Sequence, residues 1–405
     1  MNEKLYRIIS LTLLVFFSMN ENCFSQFTKP GNYDLCFMIQ DEELHIPLII
    51  QSDSKWQIIN HEERIDLTVK IEMSNNGNSF IAELPYFRTI LKGQWQNEYL
   101  ATGHWEDLSR DSSYWVNFRI VLSSTYEYQP CSQPETKKFK TIFYNSSDTT
   151  DALAQFTICG ERITGTFMTE TGDYRHLHGY VVGNELRFGT FDGAHLYFFK
   201  GLLDDENISE GVFLSGNKWR QSWKGIRDEN YCLRDPNTIV SASRKRIETL
   251  SLKDRYGVSV SISPDFFEGY VTVIELMGTW CPNCLDASRF LDTLTSNLND
   301  SSLRVLPILF ERGEDFSKWD IAAKRFYETK KRSMEYYFGG NASKKTASKL
   351  FPSLSDIIAF PTLIIVDKGG EIAWVHTGFY GPSTASYYND NISIIRREIF
   401  LLMKE

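Results

Sequence analysis

Thr279-Trp280-Cys281-Pro282-Asn283-Cys284 follows an almost wholly apolar run, Val271 to Met277, and opens a stretch whose apolar residues return every three or four positions. The pattern predicts a buried strand feeding an amphipathic helix over 282–298, with Ala287, Leu291, Leu294 and Leu298 on one helix face. The two thiols then lie one turn apart at a helix start, where unpaired N–H groups and the helix dipole favour a thiolate. Pro282 suits the first helical position, because its missing N–H would have had no partner there. Cys284, deeper in the turn, is expected to keep its proton longer.

Working outward, Leu303 to Phe310 reads as a strand, Asp315 to Arg332 as a charged helix, and Thr362 to Val366 with Ile372 to Val375 as a hairpin around Asp367-Lys368-Gly369-Gly370. A helix from about Asn391 to Met403 closes the chain. Strand, helix and strand followed by a hairpin and a terminal helix require a mixed sheet covered by helices. Pro307 cannot donate to a ladder, so its strand is expected at an edge or bulged.

Upstream, the texture changes. Leu67 to Met73, Ser79 to Leu84, Tyr99 to Trp105 and Tyr114 to Val121 read as short strands. So do Arg162 to Phe167, His176 to Val182, Glu185 to Thr190, His195 to Lys200 and Ser209 to Leu214, with turns such as Gly183-Asn184 and Asp192-Gly193 between the later ones. An antiparallel sandwich or barrel is the expected architecture. The class is therefore α+β multidomain: a leader over 1–25, a β-rich domain over 26–236, a linker over 237–252 and an α/β domain with a mixed sheet over 253–405. The linker carries the basic run Ser243-Arg244-Lys245-Arg246, read as a solvated segment.

At 405 residues, 42% hydrophobic and 23% charged, the chain has the composition of a packed globular protein with more than one core. Its net charge of -9 argues against nucleic acid as a partner. Lys4 and Arg7 precede an apolar run from Ile8 to Phe17, which reads as a secretory leader cleaved after Ser25 to leave Gln26 first. Anchoring through Cys23 as a lipoprotein is the rival reading, with Glu21 and Asn22 as poor neighbours for it. Either way an exported compartment such as a periplasm is expected, and there thiols tend to become disulfides. Of the seven cysteines, Cys36, Cys131, Cys159 and Cys232 are scattered, and their pairing does not follow from spacing.

Glu275 interrupts the apolar strand. A buried carboxylate is costly unless paired or chemically employed, and burial raises its pKa toward the range a base near neutral pH needs.

Residues 269–405 resemble the thioredoxin superfamily, in particular the exported TlpA-like thiol-disulfide oxidoreductases. The resemblance rests on Trp280-Cys281-Pro282-Asn283-Cys284, on Ala359-Phe360-Pro361-Thr362 downstream, and on the element order around them. It implies that Cys281 attacks a substrate disulfide, that Cys284 resolves the mixed disulfide, and that Glu275 takes the proton from Cys284. It further implies a cis peptide bond at Phe360-Pro361, a substrate-facing surface from Trp280, Pro282, Phe360, Pro361 and Thr362, and a backbone wall at Gly378. The first half resembles, more weakly, the β-rich module of larger members. Phe379 to Tyr388 and Asp315 to Lys345 are longer than in small thioredoxins.

The function expected is dithiol-disulfide exchange with exported proteins, as a reductase regenerated by a membrane thiol carrier, with no cofactor and no metal. Four alternatives stand beside it: half of a zinc site, a purely structural disulfide, a thiol peroxidase, and an envelope ligand-binding protein using the fold as scaffold. The zinc reading would need His376 and distant cysteines to converge. His176 and His178 alternate on one strand and are read as a surface pair, and Trp105, Trp115, Tyr197, Phe198, Trp219 and Trp223 as sheet and core contacts.

Overall fold

A computed structural model describes residues 29–405 apart from 75–76, 111–112, 124–131, 241–244, 299 and 332–333. The leader over 1–25, Cys131 and Ser243-Arg244 lie outside the described residues.

The first eight strands are β1 (Gly31–Ile39), β2 (Glu42–Ser52), β3 (Lys55–Asn60), β4 (Glu63–Ser74), β5 (Gly77–Glu83), β6 (Thr89–Asn97), β7 (Leu100–Asp107) and β8 (Trp115–Leu122). They form an antiparallel meander that closes when β8 returns to β1, with Phe37 opposite Phe118 and Leu35 opposite Ile120. Alternation explains the closure locally: in β8, Val116, Phe118 and Ile120 point inward while Asn117 and Arg119 point out. An eight-stranded barrel has an interior just wide enough for side chains to fill. Here Tyr33, Phe37, Trp56, Phe80 and Trp105 fill it.

Nine more strands follow: β9 (Glu135–Tyr144), β10 (Thr149–Cys159), β11 (Arg162–Thr169), β12 (Gly172–Asp173), β13 (Leu177–Val182), β14 (Glu185–Phe191), β15 (Leu196–Leu203), β16 (Asn207–Ser215) and β17 (Trp219–Arg227). All but the two-residue β12 make a second closed barrel, through pairings of β10 with β11 and of β9 with β17. Phe143, Phe156, Phe167, Phe188, Phe199, Phe213 and Trp223 pack its interior. Tyr174 stacks on Phe143 from one end, with ring centroids 5.6 Å apart.

The expectation of one amino-terminal sandwich or barrel within an α+β chain is thus corrected: the chain is predominantly β, with two closed eight-stranded barrels ahead of a mixed sheet. Each hairpin has a local signature, whereas closure depends on strands about 80 residues apart in the chain.

The last unit contains the short α1 (Pro236–Ile239), β18 (Leu250–Lys253), β19 (Ser259–Ile262), β20 (Val271–Met277), α2 (Pro282–Leu298), β21 (Leu303–Glu311), α3 (Phe316–Thr329), β22 (Tyr337–Asn341), α4 (Lys344–Leu350), β23 (Thr362–Val366), β24 (Ile372–Thr377) and α5 (Ser386–Lys404). Its sheet runs β19-β18-β22-β21-β20-β23-β24, with β20, β21 and β22 parallel and the remaining pairs antiparallel. Within the expected linker, Val240, Ile247 and Leu250 are buried in this unit's core. Pro307 is not at an edge, since β21 is the middle strand. It is tolerated because β22 pairs with β21 only from Ile308 onward, so on that flank no ladder bond is asked of Pro307.

Candidate redox site

All seven residues of β20 are buried, and the strand delivers the chain to the start of α2 at Cys281. Cys281 and Cys284 are disulfide-bonded, with Cα atoms 5.2 Å apart. Cys281 occupies the capping position: its carbonyl accepts the Leu285 N–H at 3.1 Å and its sulfur accepts the Cys284 N–H at 3.2 Å. The sulfur takes the place usually held by a capping oxygen, directed at a helix N-terminus that favours negative charge. Cys281 is 6% exposed and Cys284 fully buried.

The loop ahead of the pair is clamped by Glu311 at the end of β21. One Glu311 oxygen accepts the Thr279 N–H and the other the Thr279 hydroxyl, both at 2.8 Å. Burial pushes the Glu311 carboxyl up to about 7, against the opposing effect of those hydrogen bonds. Trp280 donates its indole N–H to Phe310 O at 2.9 Å, packs edge-on to Phe360 and carries the Arg312 guanidinium 5.0 Å from its ring.

Phe360-Pro361 is a cis peptide bond, and Phe360 O lies 3.5 Å from the Cys281 sulfur. Thr362 is buried, with its hydroxyl on Ala359 O. Gly378 donates its N–H to Pro361 O at 2.9 Å, so it does adjoin the proline. Its other side, however, meets the second barrel: with φ at +75°, any Cβ would lie 2.8 Å from the Thr171 backbone.

Glu275 lies in mid-β20, fully buried, and neither carboxylate oxygen has a hydrogen-bond partner. Burial pushes it up to about 8, partly offset by Lys330 and by the nearby Ser288 hydroxyl and helped by Asp292. Lys330, at the end of α3, donates to Ser288 at 2.6 Å and pairs with Asp292 at 2.6 Å. A cation and a hydroxyl therefore lead from the partly exposed Asp292 toward the buried acid.

Arg175, Asp286, Asp173 and Asn283 were not singled out in the sequence. Arg175 of the second barrel is ion-paired with Asp286 of α2, and with Glu63 of the first barrel at 2.7 Å. It also lies 3.7 Å from Asp192. Its backbone is left-handed, with φ at +66°, a conformation secured by the Asp173 carboxylate on its own N–H at 2.8 Å. Burial lowers the Arg175 pKa, but the surrounding carboxylates outweigh it and the net direction is up. Burial raises Asp286 to about 6 despite Arg175. Asp173 accepts from Gly381 N–H at 2.6 Å and from Ser383 at 2.7 Å, while Asn283 donates to Phe379 O at 3.1 Å. The long loop after β24 is therefore a docking element, and the second barrel is fixed against the amino-terminal turn of α2.

These contacts leave a cleft of about 500 Å³ between the mouth of the second barrel and Trp280, Cys281, Pro282, Asn283 and Phe360. Cys281 lines it and Cys284 does not. A larger hollow of about 630 Å³ lies over Gly93 and Gly103 on the first barrel and contains no cysteine.

Two sites weighed in the sequence do not assemble. His376 is buried with Nδ1 on Asn237 at 2.8 Å, and burial lowers it to about 4. His176 and His178 are both half-buried, and burial lowers both, His178 to about 4. Among the described residues the one grouping with three potential metal ligands is Cys36, Glu43 and His45, where Arg119 already holds Glu43 and burial pushes the Cys36 thiol up to about 12. Cys159 is disulfide-bonded, whereas Cys36 and Cys232 are free. No helix among the described residues is long and apolar enough to cross a membrane.

No protein-family model matches this chain, and no curated protein does. Solved structures similar to part of it are thiol-disulfide oxidoreductases and related thioredoxin-family proteins. A DsbF homologue from Corynebacterium diphtheriae is 19% identical over 41% of this chain and 98% of its own, with a TM-score of 0.29. The thioredoxin domain of a thiol-disulfide oxidoreductase from Bacteroides vulgatus is 20% identical over 38% of this chain and 99% of its own, with a TM-score of 0.28. A thiol-disulfide oxidoreductase from Bacteroides fragilis is 20% identical over 36% of this chain and 98% of its own, with a TM-score of 0.27.

Proposed function

We propose that this protein is a thiol-disulfide oxidoreductase of the TlpA-like kind, acting on exported substrates. The observation that carries the reading is the Cys281 sulfur: it is joined to Cys284, caps α2 through the Cys284 N–H, and alone of the pair reaches the cleft. In the reduced protein the Cys281 thiolate attacks a substrate disulfide, forming one mixed S–S bond and releasing one substrate thiolate, which takes up a proton. The Cys284 thiol gives its proton to ionised Glu275 and attacks the Cys281 sulfur. The second substrate thiolate leaves and is protonated, and the Cys281–Cys284 disulfide is left behind. Two electrons and two protons have passed to the substrate. An external dithiol, assigned to a membrane thiol carrier, restores the starting state by the same exchange in reverse. Trp280, Pro282 and Phe360 form the substrate-facing surface beside the sulfur; Pro361 and Thr362 are buried and hold the loop that presents Phe360, and Gly378 holds the Pro361 carbonyl. The disulfide at Cys159 supports an oxidising, exported setting.

The test is a Cys284→Ser variant of the full chain incubated with a disulfide-bearing peptide. A stable mixed disulfide on Cys281 is expected, absent from Cys281→Ser. A wild-type protein that reduces no disulfide in the presence of a dithiol donor would overturn the reading.

A further inference from the structure

The cleft over Cys281 has two unlike walls. One is the redox unit itself, with Trp280, Cys281 and Phe360; the other is the mouth of the second barrel, with Tyr174, Tyr197, Trp219 and Gln221. Resting on the exchange reading above, we propose that the second barrel is half of the substrate site, and that the substrate it admits is a disulfide carried on a short, extended, uncharged peptide chain, not one on the surface of a folded domain.

Six observations carry this. Cys281 is 6% exposed and lines the cleft, so a partner sulfur has to enter between the walls. The opposite wall is not a flap: Asp173 and Arg175 tie it to Gly381, Ser383 and Asp286 through buried hydrogen bonds and ion pairs, the last of these on the same helix that bears the cysteines. About 500 Å³ lies within the ~300–1,000 Å³ typical of small-ligand sites and is far too little for a globular surface. The lining offers aromatic faces with a few polar groups and no field of one sign: Arg110 and Asp148 are of opposite charge, and the third charged side chain, Asp173, is already held by the Arg175 and Gly381 N–H groups and the Ser383 hydroxyl. Trp219 stands 50% exposed at the rim with its indole N–H on Gln221 at 3.3 Å, an aromatic surface held out at the entrance. Burial raises the Tyr174 hydroxyl to about 12 and holds the Tyr197 hydroxyl well above its ordinary value, so both remain protonated and able to donate to a peptide carbonyl.

The exchange step is the one already written. The barrel wall contributes binding and orientation only, which places its effect in KM.

The experiment uses the full chain, reduced beforehand with a dithiol. The substrates are a short linear peptide carrying one chromogenic mixed disulfide, the same disulfide on a long unfolded chain, the same disulfide on the surface of a folded protein, and a small aromatic disulfide reagent alone. The expected result is that the peptide reacts at least about tenfold faster than the folded protein, and that Trp219→Ala and Tyr197→Ala each raise its KM by about tenfold, the worth of one aromatic contact, while kcat and the rate with the small reagent are unchanged. Tyr180→Ala, which alters an aromatic on the second barrel that does not line the cleft, should change nothing. Equal rates for the unfolded chain and the peptide support segments of unfolded proteins as the source; a slower unfolded chain supports free peptides. A folded protein reacting as fast as the peptide, or a KM that neither wall variant moves, would overturn the proposal. If the small reagent too fails to react with the wild type, it is the exchange reading that falls.

Discussion

Replacing Glu275 by Gln should change how stability depends on pH more than it changes stability at any one pH. The carboxyl is fully buried, without a hydrogen-bond partner, and raised from its ordinary 4.5 to about 8 by burial. Below about pH 4.5 it is protonated in both the folded and the unfolded chain and contributes no difference. Between 4.5 and 8 the unfolded chain releases the proton while the folded protein keeps it, so folding is progressively disfavoured as pH rises; above 8 the full cost is present. A shift of this size, at about 1.4 kcal/mol per pH unit, amounts to roughly 3–5 kcal/mol. The Glu275→Gln variant introduces its own buried amide, which costs roughly 1–3 kcal/mol, but that cost is the same at every pH. The other raised carboxyls, Asp286 and Glu311, titrate alike in both proteins and cancel in the difference. Denaturant unfolding of oxidised wild type and Glu275→Gln from pH 4.5 to 8.5 should therefore give curves that diverge steadily, with the variant gaining about 3–5 kcal/mol on wild type over that span. Parallel curves would show that Glu275 is ionised at little cost and would remove the basis for its role as proton acceptor.

Lys330→Met removes the cation that holds Glu275 down, so the acid limb of the exchange rate, below which Glu275 is protonated and cannot take the Cys284 proton, should move up by about one pH unit, read from a pH–rate profile. Arg175→Leu strands Asp286 and Glu63 without their cation and should cost about 3–5 kcal/mol in denaturant unfolding. Glu311→Ala frees the Thr279 N–H and hydroxyl; a loss of about 1–3 kcal/mol is expected, with a fall in exchange rate that Glu311→Gln partly restores. Trp105→Ala empties the first barrel's interior, and a loss of about 3–5 kcal/mol should appear in thermal or denaturant melts without altering exchange by the folded protein.

The helix and strand around the cysteines were legible because their signals are local: the apolar run ends at Met277, Pro282 opens the helix, and the three- and four-residue recurrence carries it to Leu298. Glu275 stood out for the same reason, as a charge where the pattern demanded an apolar residue. Glu311 carries a similar signal, an acid closing the apolar strand 303–310, but its partner, the backbone and hydroxyl of Thr279, lies 32 residues upstream and leaves no local trace. Arg175 has no local signal at all, since Glu63 and Asp286 lie more than 100 residues away on either side. The second barrel was missed in the same way. The strands of both barrels alternate alike, and nothing in Phe37 or Phe118 alone announces that they face each other. Pro307 shows the converse case, where a sound local rule met a sheet whose neighbouring strand starts one residue later.

Asp173 and Arg175 have a corollary for anyone who would cut this chain into pieces. A fragment containing only the carboxy-terminal part would keep both sulfurs yet hydrate the Asp286 carboxylate and release the backbone of Gly381 to water. It would then meet any disulfide as an open bench and not as a keyhole, so activity measured on such a truncation would report a more promiscuous reagent than the intact molecule.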